Sequence, residues 1–109
     1  MQGLTNLRGK SFTFATKDLI YDLRTNVPSL FTGIPDQADR YDAIYLILIR
    51  SDKNFQISLQ NDYDSVWTDY DLINAGTLRS FQINEVSVKN IRLIPSADNQ
   101  TLYVYLASI

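Results

Sequence analysis

The chain has 109 residues, a formal net charge of −2, and 45% hydrophobic and 20% charged residues. This length suits one domain, and the composition is that of a globular protein, not a disordered one. Cysteine and histidine are both absent, which excludes disulfides, thiolate and imidazole metal ligands, and histidine-based catalytic triads within these residues. Only carboxylate, Lys, Arg and Tyr chemistry remains, so we predict that the protein is not an enzyme and holds no cofactor.

The residue types favour an all-β fold outside the membrane. The acidic residues are eleven Asp and one Glu, and Asp favours caps and turns, whereas Glu favours helices. Tyr, Phe, Ile, Val and Thr are plentiful, and these residues favour strands. No apolar run approaches the roughly 18 residues of a membrane helix, and no apolar signal segment is present near Met1. The net negative charge argues against direct binding of nucleic acid.

In chain order, the first third predicts a strand, an ambiguous segment and a loop. Residues 10–16 alternate polar and aromatic side chains, which is the period of a half-buried strand. Residues 18–23 fit either a second strand or one helical turn. Residues 25–39 contain two prolines and a glycine and therefore predict a long loop.

The middle third predicts two strands in an acidic region. Residues 42–50 are apolar on both faces, which is typical of a central strand. Residues 55–60 alternate cleanly after a short turn, so we expect them to form a hairpin with that central strand. Residues 36–71 carry eight Asp against three basic residues. An acidic middle between mildly basic ends could orient copies of the chain against one another.

The last third predicts further strands with two irregularities. Residues 78–84 alternate apart from a slip between Leu78 and Phe81, which predicts a bulge or a strand that begins at Ser80, and residues 101–107 form a final alternating strand. Between them, residues 86–88 and 91–93 alternate in different phases. The change of phase predicts a bulge or a bend at Lys89-Asn90.

Turn signals recur about every eight to twelve residues, which is typical of antiparallel sandwiches and small barrels. We therefore predict that residues 1–109 form one antiparallel β-sandwich domain, jelly-roll-like, with seven to eight strands. Residues 1–10 are interpreted as an N-terminal arm or, alternatively, as part of an ordinary first strand.

The stretch NDYDSVWTDYDLINAGT, residues 61–77, is rich in side chains that could bind a ligand. Its Asp residues could bind calcium, but their spacing does not match an EF-hand loop. Trp67 and the neighbouring Tyr and Asp could form a carbohydrate- or receptor-binding site, or the tryptophan could pack into the core. Two carboxylates could act as in a glycosidase, but so many Asp make close pairs by chance. We interpret the stretch as an acidic inter-strand loop with one buried aromatic anchor.

The C-terminal half resembles small structural proteins of tailed-phage virions. The pattern is a turn and an S-F-x-I strand at residues 72–83, V-x-V and I-x-L segments at residues 86–93, and a Y-x-V strand at residues 101–105. The resemblance, to head-decoration or minor virion proteins, implies a non-enzymatic structural subunit that acts through protein–protein contacts. It also implies a homo-oligomer, partnered by the major capsid protein or other virion proteins, that lies in the virion and assembles in the host cytoplasm.

Five residues are the predicted points of contact. Arg8 and Lys10 belong to the basic N-terminal segment, which could lie on an acidic neighbour. Phe31 and Ile34 are apolar residues in the predicted loop, and we expect them to be exposed to a partner. Trp67 belongs to the alternative hypothesis, in which the protein is a carbohydrate- or receptor-binding module.

Overall fold

The computed structural model describes residues 6–31, 44–61, 64–82 and 88–108. Within them the chain forms eight strands and two short helical segments. The strands are β1 (Asn6–Phe14), β2 (Tyr21–Asp22), β3 (Ile44–Ser51), β4 (Phe55–Asn61), β5 (Asp71–Ile73), β6 (Arg79–Gln82), β7 (Val88–Pro95) and β8 (Gln100–Ser108). The helical segments are the α-helical turn α1 (Leu23–Asn26) and a 3-10 turn (Pro28–Phe31). Neither of these described segments has the length or apolar character of a membrane-spanning helix.

The first four strands pair with the last four in reverse order along the chain. β1 pairs with β8, β2 with β7, β3 with β6 and β4 with β5, all antiparallel. Further pairing gives a first sheet, β1-β8-β3-β6, and a second sheet, β2-β7-β4-β5, linked where Ile44 pairs with Val88. The predicted all-β antiparallel sandwich of seven to eight strands is confirmed.

The two sheets enclose a hydrophobic core. Alternate residues of β8, Leu102, Val104 and Leu106, are fully buried, while Tyr103 and Tyr105 between them are exposed. The other buried members of the core are Phe14, Leu23, Leu30, Phe31, Ile44, Ile47, Ile49, Phe55, Ile57, Ile73, Val88, Ile91 and Leu93. Full burial of one such side chain contributes about 1.5–3 kcal/mol relative to exposure, so this core is the main source of stability.

The prediction that residues 42–50 and 55–60 form a hairpin is wrong. β3 pairs with β6 and β8, whereas β4 pairs with β5 and β7, so the two strands lie in opposite sheets. Alternation shows which face of a strand is buried but not which strand lies beside it. Both strands bury apolar side chains in the same core, and the turn at residues 52–54 crosses from one sheet to the other.

A buried glutamine holds this crossing turn against the turn between β7 and β8. Gln100 is 1% exposed, and its Nε2 donates to Ser51 Oγ at 2.7 Å and to the carbonyls of Lys53 and Asn54 at 3.0 Å. Its Oε1 accepts from the first two N–H groups of the β7–β8 turn, at 2.9 and 3.3 Å. These five bonds offset the cost of burying a polar side chain in the core.

The irregularity predicted at Lys89-Asn90 is confirmed as a β-bulge. Gln60 of β4 pairs with Asn90, and the next residue, Asn61, pairs with Val88, so Lys89 is the extra residue of β7. A bulge of this kind shifts the alternation by one residue, which is the change of phase seen in the sequence.

The ambiguous segment at residues 18–23 forms a strand only at Tyr21–Asp22, and the helical turn begins at its last residue. β2 ends at Asp22, and α1 begins at Leu23, which is fully buried. Asp22 caps α1, because its Oδ1 accepts from the N–H of Thr25 at 3.1 Å. The buried Asn90 donates from Nδ2 to both carboxylate oxygens of Asp22, at 2.9 and 2.8 Å, so the bulge also anchors the helical turn.

Candidate interaction surfaces

The outer face of the first sheet is apolar over β1, β3 and β8. Residues that pair directly across antiparallel strands project to the same side of the sheet. Four such residues form what we call the apolar face: Leu7, Leu46, Leu48 and Tyr105. Leu7 is 69% exposed and Tyr105 is 46% exposed, whereas Leu46 and Leu48 are half-buried, so the apolar area that meets solvent is centred on Leu7 and Tyr105.

A glycine lets the Tyr105 ring lie flat on this surface. Gly9 pairs with Tyr105 across β1 and β8, and a Cβ atom at Gly9 would lie 2.7 Å from Cε1 of the ring. That distance is far shorter than any normal carbon–carbon contact. The ring therefore covers the backbone of β1, in an arrangement that only glycine allows without moving the tyrosine.

Few charges lie on this side of the first sheet. The described outward positions of β1, β3 and β8 carry one formal charge, that of Arg50, and its guanidinium lies 4.8 Å from the centroid of the Tyr103 ring. A solvent-facing sheet normally alternates buried apolar with exposed polar residues. Exposed apolar patches of this kind mark contact sites more often than ordinary surface.

The two basic residues predicted as contacts lie on the opposite side of β1 from Leu7. Arg8 pairs with Leu106 and Lys10 with Val104, so both project towards the interior side of the first sheet near its edge. Arg8 is half-buried, and desolvation lowers the pKa of its guanidinium from the usual value. Lys10 is exposed. Residues 6–10 thus belong to an ordinary first strand, as in the alternative interpretation, and residues 1–5 lie outside the described residues.

The predicted exposure of Phe31 is wrong. Phe31 ends the 3-10 turn and is 4% exposed, packed in the core of its own chain. The guanidinium of Arg24 lies 4.5 Å from the centroid of its ring and covers it from the outside. The apolar residues of the predicted loop therefore close the core here, and Phe31 is not available to a partner. Ile34, the other predicted contact, lies outside the described residues.

Trp67 is half-buried against the outer side of the second sheet. It forms an isolated bridge with Gln60, and the next residue, Thr68, bonds to β4 through its N–H, which donates to the carbonyl of Leu59 at 2.9 Å. The Arg92 guanidinium lies 4.0 Å from the centroid of the indole ring and makes an ion pair with Asp22 at 3.8 Å. Trp67 is therefore not the buried core residue predicted for the acidic stretch, because it is only half-buried. It is also not a fully open binding surface, because Arg92 of β7 covers one face of its ring.

The acidic residues around Trp67 do not come together in the described part of the chain. Asp64 accepts from the N–H of Val66 at 3.0 Å, and Asp71 pairs with Arg79 at 3.4 Å. Among the described residues no group of three carboxylates is arranged to hold a metal ion. Asp62 and the Asp residues between 36 and 42 lie outside them, so the calcium hypothesis stays a prediction.

Comparison with known proteins shows that the fold of this chain is similar to that of a solved structure. No family model and no curated protein matches the chain. A solved chain described under the words "Bacillus endospore appendages form a novel family of disulfide-linked pili" has a TM-score of 0.53 to this one and 10% sequence identity. The match covers 95% of this chain and 87% of that chain. At this identity the likeness shows a shared fold, and the 109 residues have no cysteine with which to form disulfide links.

Proposed function

We propose that this protein is a non-enzymatic structural subunit that assembles through protein–protein contacts, and that the assembly is the virion of a tailed phage. The observation that carries the structural role is the apolar face on the first sheet. An exposed apolar area of this kind is typical of a surface that another protein covers.

The occupant that the charges favour is a second copy of the chain. Two apolar faces can meet with little electrostatic repulsion, because Arg50 is their one described charge and lies at one end. The segment of residues 64–71 is less suited to self-contact, since it carries three Asp and no basic residue. Like charges placed opposite one another across an interface oppose association.

The choice of a virion rests on the resemblance in the C-terminal half. In their described residues the quoted segments include β6 and parts of β5, β7 and β8, which contribute to both sheets. The fold likeness to a chain described as forming pili supports a structural role more broadly, since that protein is also a subunit of an assembly. Capsid or other virion proteins would be the further partners, and the virion, assembled in the host cytoplasm, would be the location.

The experiment is to measure the mass of the purified protein by sedimentation equilibrium over a range of concentrations. We expect a concentration-dependent oligomer, and we expect Leu7→Glu to shift the equilibrium towards the monomer. The matched control is Gln56→Glu, which adds the same charge at an exposed strand position of the second sheet. A wild-type protein that stays monomeric at the highest concentration, or a Leu7→Glu variant that associates as the wild type does, would contradict the proposed interface.

The virion role needs a separate measurement. Antibodies against the purified chain should label intact particles in electron micrographs of lysates from cells in which the phage is produced. Labelling of extended surface fibres instead would favour the pilus-like assembly.

The carbohydrate- or receptor-binding hypothesis remains the second candidate. At Trp67 it is weakened by the guanidinium of Arg92 over the indole ring, because a sugar ring that stacks on tryptophan needs a free face of that ring. A sugar that quenches the fluorescence of Trp67 at millimolar concentration would restore this hypothesis.

A further inference from the structure

A surface concavity lies at the end of the sandwich where β3 ends and the chain crosses to the second sheet. It has a volume of about 270 Å³ and is lined by Arg50, Ser51, Asp52, Gly76 and Tyr103. These residues come from β3, the crossing turn, the turn after β5, and β8. From this geometry we propose that the concavity is a binding site for one neutral sugar ring.

Hydrogen bonds between the segments that line the concavity hold its walls in place. The N–H of Gly76 donates to the carbonyl of Ser51 at 2.8 Å, which ties the turn after β5 to β3. Ser51 is buried and its Oγ donates to the carbonyl of Thr101 at 2.7 Å. The N–H of Thr101 donates in return to Oδ1 of Asp52 at 3.0 Å. The carboxylate is therefore fixed before any ligand arrives, which reduces the entropy lost on binding.

Three of the lining side chains carry polar groups that are available to a ligand. Within the described residues, no hydrogen bond reaches Oδ2 of Asp52, the guanidinium nitrogens of Arg50 or the hydroxyl of Tyr103. Arg50 is held in place by stacking on the ring of Tyr103, which is 37% exposed. The concavity thus offers one carboxylate acceptor, a planar set of donors and a phenol on a preformed surface.

The charges of the site select the chemistry of the ligand. An anion is attracted by Arg50 but repelled by Asp52, and a cation meets the reverse, so a singly charged ligand gains little. A hydroxyl group both donates and accepts, and two adjacent hydroxyls can donate to a carboxylate while accepting from a guanidinium. A sugar ring presents such pairs of hydroxyls without carrying a charge.

The size of the concavity limits the ligand to one ring. Pockets for drug-sized ligands have volumes of about 300–1,000 Å³, and this concavity lies just below that range. It is also open at the surface, so a terminal or side-branch sugar of a larger glycan could enter. The proposal goes beyond the structural role and does not rest on it, because no residue of the apolar face lines the concavity.

The test is a titration of the ¹⁵N-labelled protein with the methyl glycosides of glucose, galactose and mannose, followed by amide chemical shifts. We expect shifts at Asp52, Gly76 and Tyr103 and a Kd on the order of 1 mM, which is typical of a ligand with so few heavy atoms. The variants Asp52→Asn and Arg50→Gln should each weaken binding about tenfold, the effect of losing one charged hydrogen bond. Asp52→Asn keeps an oxygen for the N–H of Thr101, so the fold should be retained.

The control is Asp69→Asn, which removes the same charge from an exposed loop position and should bind as the wild type does. The proposal is overturned if none of the three glycosides shifts these amides, or if the shifts cluster around Trp67. It is also overturned if Arg50→Gln binds the glycoside as tightly as the wild type, and this second variant decides the matter should Asp52→Asn fail to fold.

Discussion

Replacing Gln100 with leucine should lower the free energy of unfolding by about 2–4 kcal/mol. The substitution keeps a side chain of similar size in the core but removes all five hydrogen bonds of the amide group. Not every partner is left without a bond. The carbonyl of Asn54 still accepts from Ser96 Oγ at 2.6 Å, and Ser51 Oγ still donates to the carbonyl of Thr101.

Two groups lose their described partner outright, namely the carbonyl of Lys53 and the N–H of Ala97. An unsatisfied polar group costs about 1–3 kcal/mol when it is buried and less when water reaches it, which gives the stated range for the pair. The loss should appear as a lower midpoint in urea with an unchanged m-value. Gln56→Leu is the control, because the side chain it replaces is exposed on β4, and it should change stability by less than about 0.5 kcal/mol. A loss below about 1 kcal/mol for Gln100→Leu would mean that the amide of Gln100 does not hold the two turns together.

Three further predictions concern single residues. Gly9→Ala should turn the ring of Tyr105 aside at a cost below about 1 kcal/mol, because the ring is half exposed and the strand gains from losing a glycine; the loss of ring-current shifts on the protons of residue 9 would report it. Trp67→Ala should cost about 1–2 kcal/mol, less than the 3–5 kcal/mol of a core tryptophan, measured in urea. Asn90→Asp should destabilise the protein at neutral pH and less so in acid, because burial and the carboxylate of Asp22 both raise the pKa of the introduced carboxyl group. Its stability relative to the wild type, measured by urea unfolding at a series of pH values, should therefore fall as pH rises through that raised pKa. Asn90→Ala, which introduces no ionisable group, should show a smaller change over the same range of pH.

The local features of the fold could be predicted from the sequence wherever the alternation within a single strand determines them. The two faces of β8 follow from its alternation, and the bulge at Lys89 follows from the change of phase on either side of it. Both features depend on residues within a few positions of one another. The partners of β3 and β4 could not be predicted in this way, because the choice of sheet depends on β6, β7 and β8, which lie far along the chain.

The apolar face could not be predicted from the sequence either, because it also depends on which strands lie side by side. Tyr105 is visibly on the polar side of β8, but only the strand order brings Leu7 and Leu48 beside it. A pair of leucines on the outward side of two separate strands has no signal in the sequence until those strands are known to flank β8. Phe31 was wrongly predicted to be exposed. Two prolines and a glycine predicted a loop at residues 25–39, but this composition did not show that Leu30 and Phe31 are buried in the core.

The apolar face and the concavity lie on the same sheet, and Tyr103 borders both of them. It lines the concavity and stands two residues from Tyr105 on β8, so the two side chains are neighbours on one face of the strand, about 7 Å apart. A second copy of the chain that covers Tyr105 therefore approaches the opening of the concavity. If that copy closes the opening, a sugar that binds only the free chain must weaken self-association, by a factor of 1 + [L]/Kd for each chain released. Repeating the sedimentation measurement with methyl glycoside at ten times its Kd should then favour the monomer, whereas an unchanged equilibrium would mean that the two surfaces act independently.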